Sequence, residues 1–146
     1  FTHEGNIYAY KIDSVSKSQE KCLYIQVQNS YNNFKNFLTQ EEYNEFNNSF
    51  NLEKTVYLNF TFKNDGSKFQ KMIHSAINLN YPIKVNDKRI INFIKLLGIN
   101  NHDKLVDFLE TQKDKYITWL SIGKNRVFSI YYMNKKYFDI FKKFII

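Results

Sequence analysis

One cysteine, one proline, four glycines and three histidines are all that this chain of 146 residues offers of the residue types that most often carry chemistry or punctuate a fold. With Cys22 alone, an internal disulfide and a cysteine-based zinc site are excluded, and a reducing, intracellular setting (cytoplasmic or organellar) is predicted. His3, His74 and His102 have no partners at ligand or triad spacing, so neither a metal nor a cofactor is expected. No run of about 18 apolar residues exists, so no transmembrane segment is predicted. The scarcity of Pro and Gly leaves no linker, and no repeat or low-complexity segment is visible, so residues 1–146 read as one domain. Residue 1 is Phe rather than Met, which reads as a processed product or a piece of a longer chain.

What is abundant is equally one-sided. Lys, Asn, Ile, Phe and Tyr supply 79 of the 146 residues, whereas Ala, Gly, Pro and Arg supply 9. The first set has AT-rich codons and the second GC-rich ones, so an AT-rich genome is the simplest cause. Asn abundance therefore carries no functional weight, including the two glycosylation sequons at Asn47 and Asn59. Apolar residues at 43% and aromatics at 18% are enough to build a core. Charge is distributed less evenly than codon bias explains. Residues 1–53 carry a net charge of −3 and residues 54–146 a net charge of +10. A one-sided field of this kind attracts polyanions: nucleic acid, anionic lipid or an acidic protein.

Periodicity orders the elements. Ile7–Ile12 and Cys22–Val27 read as strands of an antiparallel hairpin. Phe34, Phe37 and Leu38 have helical spacing, and Thr39-Gln40-Glu41-Glu42 is a capping box that opens a second helix bearing Tyr43, Phe46 and Phe50. Residues 55–62, TVYLNFTF, alternate as a strand. Asn64-Asp65-Gly66 is a turn, and Ser67-Lys68-Phe69-Gln70 reads as a second capping box, predicting a helix that carries Phe69, Met72, Ile73, Ala76 and Ile77 and is ended by Tyr81-Pro82. Residues 88–97 form a helix closed by Gly98, with Ile99 after it. Asn100 or Asn101 caps the next helix, which places Leu105, Val106, Phe108 and Leu109 inward. In ITWLSIGKNRVFSIYY (117–132) two alternating runs flank a Gly-Lys-Asn turn. The last helix, 135–145, gathers Lys135, Lys136, Asp139, Lys142 and Lys143 on one side and aromatic and aliphatic residues on the other. The order ββα(α)βαααββα predicts an α+β fold: an antiparallel sheet of about five strands, grouped helices and a C-terminal amphipathic helix.

Catalytic and binding motifs fail on inspection. INFIKLLGINNHDKLVDFL resembles a DNA-reading helix-turn-helix because Gly98 sits in the turn. That register would turn Lys104 and Asp107 inward in place of the apolar Leu105 and Val106, and the helix carries Asp103, Asp107 and Glu110, which phosphates repel, so a plain αα-corner is expected. Ile7-Tyr8 and Tyr24-Ile25 resemble the motifs of GIY-YIG nucleases, but Gln26 replaces the glycine and no Arg precedes Arg89. LTQEEYNEF lacks the acidic loop that a calcium-binding helix pair needs. Asp65-Gly66-Ser67-Lys68, between a strand and a helix, could cradle an anion at the helix N-terminus but lacks the full P-loop pattern, so a capped turn is expected.

The expected function is a non-catalytic interaction module that binds a polyanion or an acidic protein partner within a larger assembly. Its basic C-terminal surface comprises Lys124 and Arg126 at the hairpin tip with Lys135, Lys136, Lys142 and Lys143 on the last helix. The alternative is a small enzyme or enzyme fragment whose pocket joins two of Asp65, His74 and His102.

Overall fold

Strands that follow one another in the chain also lie beside one another in space. The computed structural model describes residues 21–52, 56–63, 65–79 and 81–143. Five strands, β1 (Lys21–Gln26), β2 (Val56–Phe62), β3 (Lys68–His74), β4 (Lys115–Gly123) and β5 (Phe128–Asn134), form one antiparallel sheet in the order β1-β2-β3-β4-β5. Helices α1 (Tyr31–Phe34) and α2 (Gln40–Phe50) fill the β1–β2 connection, α3 (Lys88–Leu96) and α4 (His102–Thr111) the β3–β4 connection, and α5 (Lys135–Lys142) follows β5. This is the predicted α+β arrangement. The strand expected over Ile7–Ile12, and its pairing with the next, fall outside the described residues.

One helix expected from sequence is a strand. Lys68–His74 pairs with β2 on one side, from Phe62↔Lys68 to Val56↔His74, and with β4 on the other, from Lys71↔Gly123 to His74↔Leu120. Its second half, Lys71–His74, lies between two neighbours, and there Met72, Ile73 and His74 are buried in succession, so both faces are covered. Burial on both faces erases the alternation that marks a half-exposed strand. Ser67 caps no helix there. Its amide donates to Asp65 Oδ1 at 2.8 Å, closing a turn within the β2–β3 hairpin.

The core lies on one face of the sheet. Val56, Met72, His74, Leu120, Ile122, Phe128 and Ile130 point toward α2, α3 and α4, which contribute Phe46, Phe50, Ile90, Phe93, Ile94, Leu105 and Leu109. Phe46 stacks on Phe93 at 4.6 Å between ring centroids and meets the His74 ring edge-on at 5.4 Å. The Thr39 capping box forms as read: Thr39 Oγ1 accepts from the Glu42 amide at 3.2 Å, and Glu42 Oε1 accepts from the Thr39 amide at 2.8 Å. Gly98 takes the left-handed conformation (φ 68°) that closes α3, and Ile99 beside it is buried. Asn101 occupies the N-cap position of α4, also left-handed (φ 58°), but its side chain makes no capping bond. On α4, Leu105 and Leu109 are buried, while Phe108 is exposed rather than inward.

The β4–β5 hairpin forms as read, with a bulge between Ile117 and Trp119. The bulge shifts the phase of β4, so Ile117 and Leu120 both reach the core. Trp119 and Ser121 point to the opposite face, and α5 lies there, with Phe141 edge-on to Trp119 at 5.9 Å and Phe138 against Tyr116 at 5.2 Å. The apolar side of α5 does not all become core. Phe138 is 2% exposed, whereas Tyr137, Ile140 and Phe141 are 58%, 46% and 44% exposed.

Candidate polyanion-binding surface

The six cations expected to form one surface occupy two places. β4 runs from the end of the sheet where α5 begins to the end where the hairpin turns. Lys124 and Arg126 sit at that turn, and the Lys124 amide donates to the Gln70 carbonyl at 3.2 Å. The α5 lysines climb the opposite face only as far as Trp119. Five residues of β4, roughly 16 Å at strand rise, separate that level from Lys124.

Their electrostatic environments differ as well. Arg126 is the most committed. Its guanidinium donates to Glu42 Oε1 at 2.7 Å and Oε2 at 2.6 Å, and to the Phe37 carbonyl at 2.9 Å. Burial pushes the Glu42 carboxyl up. The Arg126 guanidinium and the Thr39 amide outweigh burial and hold it below the usual carboxylate range. Bonding to Glu42 raises Arg126 in turn. Arg126 thus joins the hairpin tip to the N-terminus of α2 and is spent on the fold. Lys135 pairs with Asp139 at 2.7 Å along the helix, and Lys142 donates to the Leu79 carbonyl at 3.2 Å with its ammonium near the Phe138 ring. Lys124, Lys136 and Lys143 are exposed, and among the described residues none of them makes an ion pair.

The strand assignment of Lys68–His74 adds two cations that sequence reasoning missed. The β2–β3 turn lies at the same end of the sheet as the β4–β5 turn, so Lys63 and Lys68 share that end with Lys124. Lys68 is two strand residues, roughly 7 Å, from Gln70, whose carbonyl holds the Lys124 amide. The nearby acid, Asp65, accepts from the Ser67 amide and side chain, which keeps its carboxyl below the ordinary range.

The groups proposed for an enzyme do not meet. Asp65 lies in the β2–β3 turn, and His74 ends β3 inside the core, between Phe46 and Phe50. His102 starts α4 and contacts Asp103 at 3.1 Å. Among the described residues no three His, Cys, Asp or Glu side chains gather at metal-binding distance. A void of about 10 Å³ lies between Phe46, Phe93 and Phe128, below the size of a substrate. A shallow groove of about 340 Å³ runs beside Arg126, Lys35 and Gln40 on the α1–α2 loop. The Asn59 sequon is no modification site on the folded chain, because Asn59 is 1% exposed and accepts a bond from Thr61. Among the described residues no helix is long and apolar enough to cross a membrane.

Comparison of the chain with protein-family models, with curated proteins and with solved structures returned no match.

Proposed function

We propose that this α+β chain is a non-catalytic interaction module that binds a polyanion through its basic surface. The observation that supports this reading is a group of exposed lysines that make no ion pair among the described residues: Lys68 and Lys124 at the turn end of the sheet, with Lys63 close to Asp65 in the same turn, and Lys136 and Lys143 on α5. These ammonium groups do little for the stability of the fold and are available for phosphate or carboxylate contacts. The chain's net charge of +7 adds a long-range attraction for such partners.

The test is binding of the 146-residue chain to labelled single-stranded RNA, to a DNA duplex and to anionic vesicles, each at low and moderate salt. Binding should weaken steeply as salt rises. Charge reversal at Lys63, Lys68, Lys124, Lys136 and Lys143 to Glu should reduce it at least tenfold without changing the circular dichroism spectrum. Binding unaffected by salt and by charge reversal, or none to any of the three, rejects the reading.

A further inference from the structure

Helix α5 carries more apolar surface than the sheet covers. Tyr137 and Phe141 are four residues apart, and Ile140 lies between them, one helical turn from Tyr137, so the three side chains form one continuous flank. All three are exposed by 44% or more. At 100° per residue, Lys136 and Lys143 project within about 20° of one another and about 40–60° from Ile140. An uncovered aromatic and aliphatic row is therefore bordered by two cations with no acidic partner among the described residues. The acid of the helix, Asp139, is held by Lys135.

The helix is fixed to the body by its other side. Phe138 is buried against Tyr116, Lys142 donates to the Leu79 carbonyl, and Phe141 lies perpendicular to Trp119 at 5.9 Å between ring centroids with 44% of its surface exposed. The backbone of the flank is thus already held in place, which lowers the ordering cost of meeting a partner to that of its side chains.

This pattern separates the classes of polyanion. Two unpaired lysines make few phosphate contacts, and phosphate contacts supply most of the affinity for nucleic acid. Ile140, in the middle of the flank, offers no ring for bases to stack on. A bilayer surface uses both halves of the pattern: apolar side chains seat at the boundary between headgroups and acyl chains, and lysines meet anionic headgroups. We propose that α5 docks on an anionic lipid surface, with Tyr137, Ile140 and Phe141 inserted and Lys136 and Lys143 among the headgroups. The proposal rests on the polyanion reading above and narrows it to one partner and one element.

The single tryptophan of the chain, Trp119, lies half-buried beside Phe141 and reports on docking. The full chain is mixed with vesicles of phosphatidylcholine alone and with vesicles in which about a third of the lipid is phosphatidylserine. Sedimentation and Trp119 emission are recorded at low and moderate salt. The expected result is co-sedimentation and a blue shift with the anionic vesicles only. Brominated acyl chains should quench the emission. The triple variant Y137S/I140S/F141S should lose about tenfold or more in vesicle affinity. K136E/K143E should lose as much, and both should retain the wild-type circular dichroism spectrum.

Three outcomes overturn the lipid assignment. The serine variant binds anionic vesicles as tightly as wild type; or the chain binds RNA or duplex DNA and no vesicle, which leaves the polyanion reading standing; or it binds polyglutamate through the same three side chains and no vesicle, which assigns the flank to an acidic protein. No binding to any of these probes ends both readings.

Discussion

Helices α2 and α5 lie on opposite faces of one sheet and are held in very different ways. Of the eleven residues of α2, Glu42, Tyr43, Phe46 and Phe50 are buried, the N-terminus is closed by a capping box, and Arg126 ties it to a hairpin 84 positions away. Of the eight residues of α5, Phe138 alone is buried. By sequence α5 is the more apolar-looking helix, with Tyr137, Phe138, Ile140 and Phe141 in five positions. An amphipathic pattern measures how much apolar surface a helix carries. It does not measure how much the rest of the chain covers. On α2, supply and cover match. On α5 they do not, and the surplus faces solvent.

The sharpest way to test this contrast is to empty the well-covered side. Phe46→Ala removes a ring stacked on Phe93 beside an existing small void, and should cost about 3–5 kcal/mol in chemical denaturation. A cost under about 1 kcal/mol would mean that α2 is not the better anchored helix. The next largest effect concerns the strap. Glu42→Gln leaves Arg126 without its charge partner and should cost about 1–3 kcal/mol.

That substitution also sets a pH dependence. The Glu42 carboxyl is depressed in the folded chain, so it contributes stability above its ordinary value of 4.5, and the contribution is lost as pH falls through the lower folded value. Asp87, depressed by the Arg89 guanidinium, acts in the same direction. Denaturation midpoints should therefore drop on acidification below the ordinary carboxylate range, and the drop should be shallower in Glu42→Gln. An equal drop in both proteins would remove Glu42 from the acid limb. The smallest effect is expected on α5. Serine at Ile140 or Tyr137 should change stability by no more than about 0.5 kcal/mol each. A loss as large as that of Phe46→Ala would show that something covers this flank.

Much of this architecture is legible in the residues. The capping box at Thr39 marks the start of α2 because a side-chain oxygen and a glutamate three positions later satisfy two amides locally. Gly98 followed by Ile99 marks the end of α3 for a similar local reason. The alternation of TVYLNFTF and of ITWLSIGKNRVFSIYY reports strands because each has faces of unequal burial. Lys68–His74 was misread because both its faces are covered, and only its neighbours β2 and β4 make it a strand. Arg126 looked like a free cation because its partner, Glu42, lies far away in sequence and is already accounted for locally by the capping box. Distance along the chain, rather than weak local signal, separates what was legible from what was not.

The meander has a consequence for assembly. β2–β3 and β4–β5 are each joined by a short turn and pair over seven positions, so each half of the sheet closes a small loop. The seam between them, β3 to β4, pairs over four positions and spans residues 75–114, which include α3 and α4. Closing that long loop carries an entropy cost before the seam's contacts repay it, so the two hairpins are expected to form before the seam joins them. Until they unite, the inner edge of β3 offers unpaired amides and carbonyls beside Met72 and Ile73, a template on which another chain can pair. The central strand, buried at its Met72–His74 end in the finished sheet, is thus open to misassembly until β4 joins it.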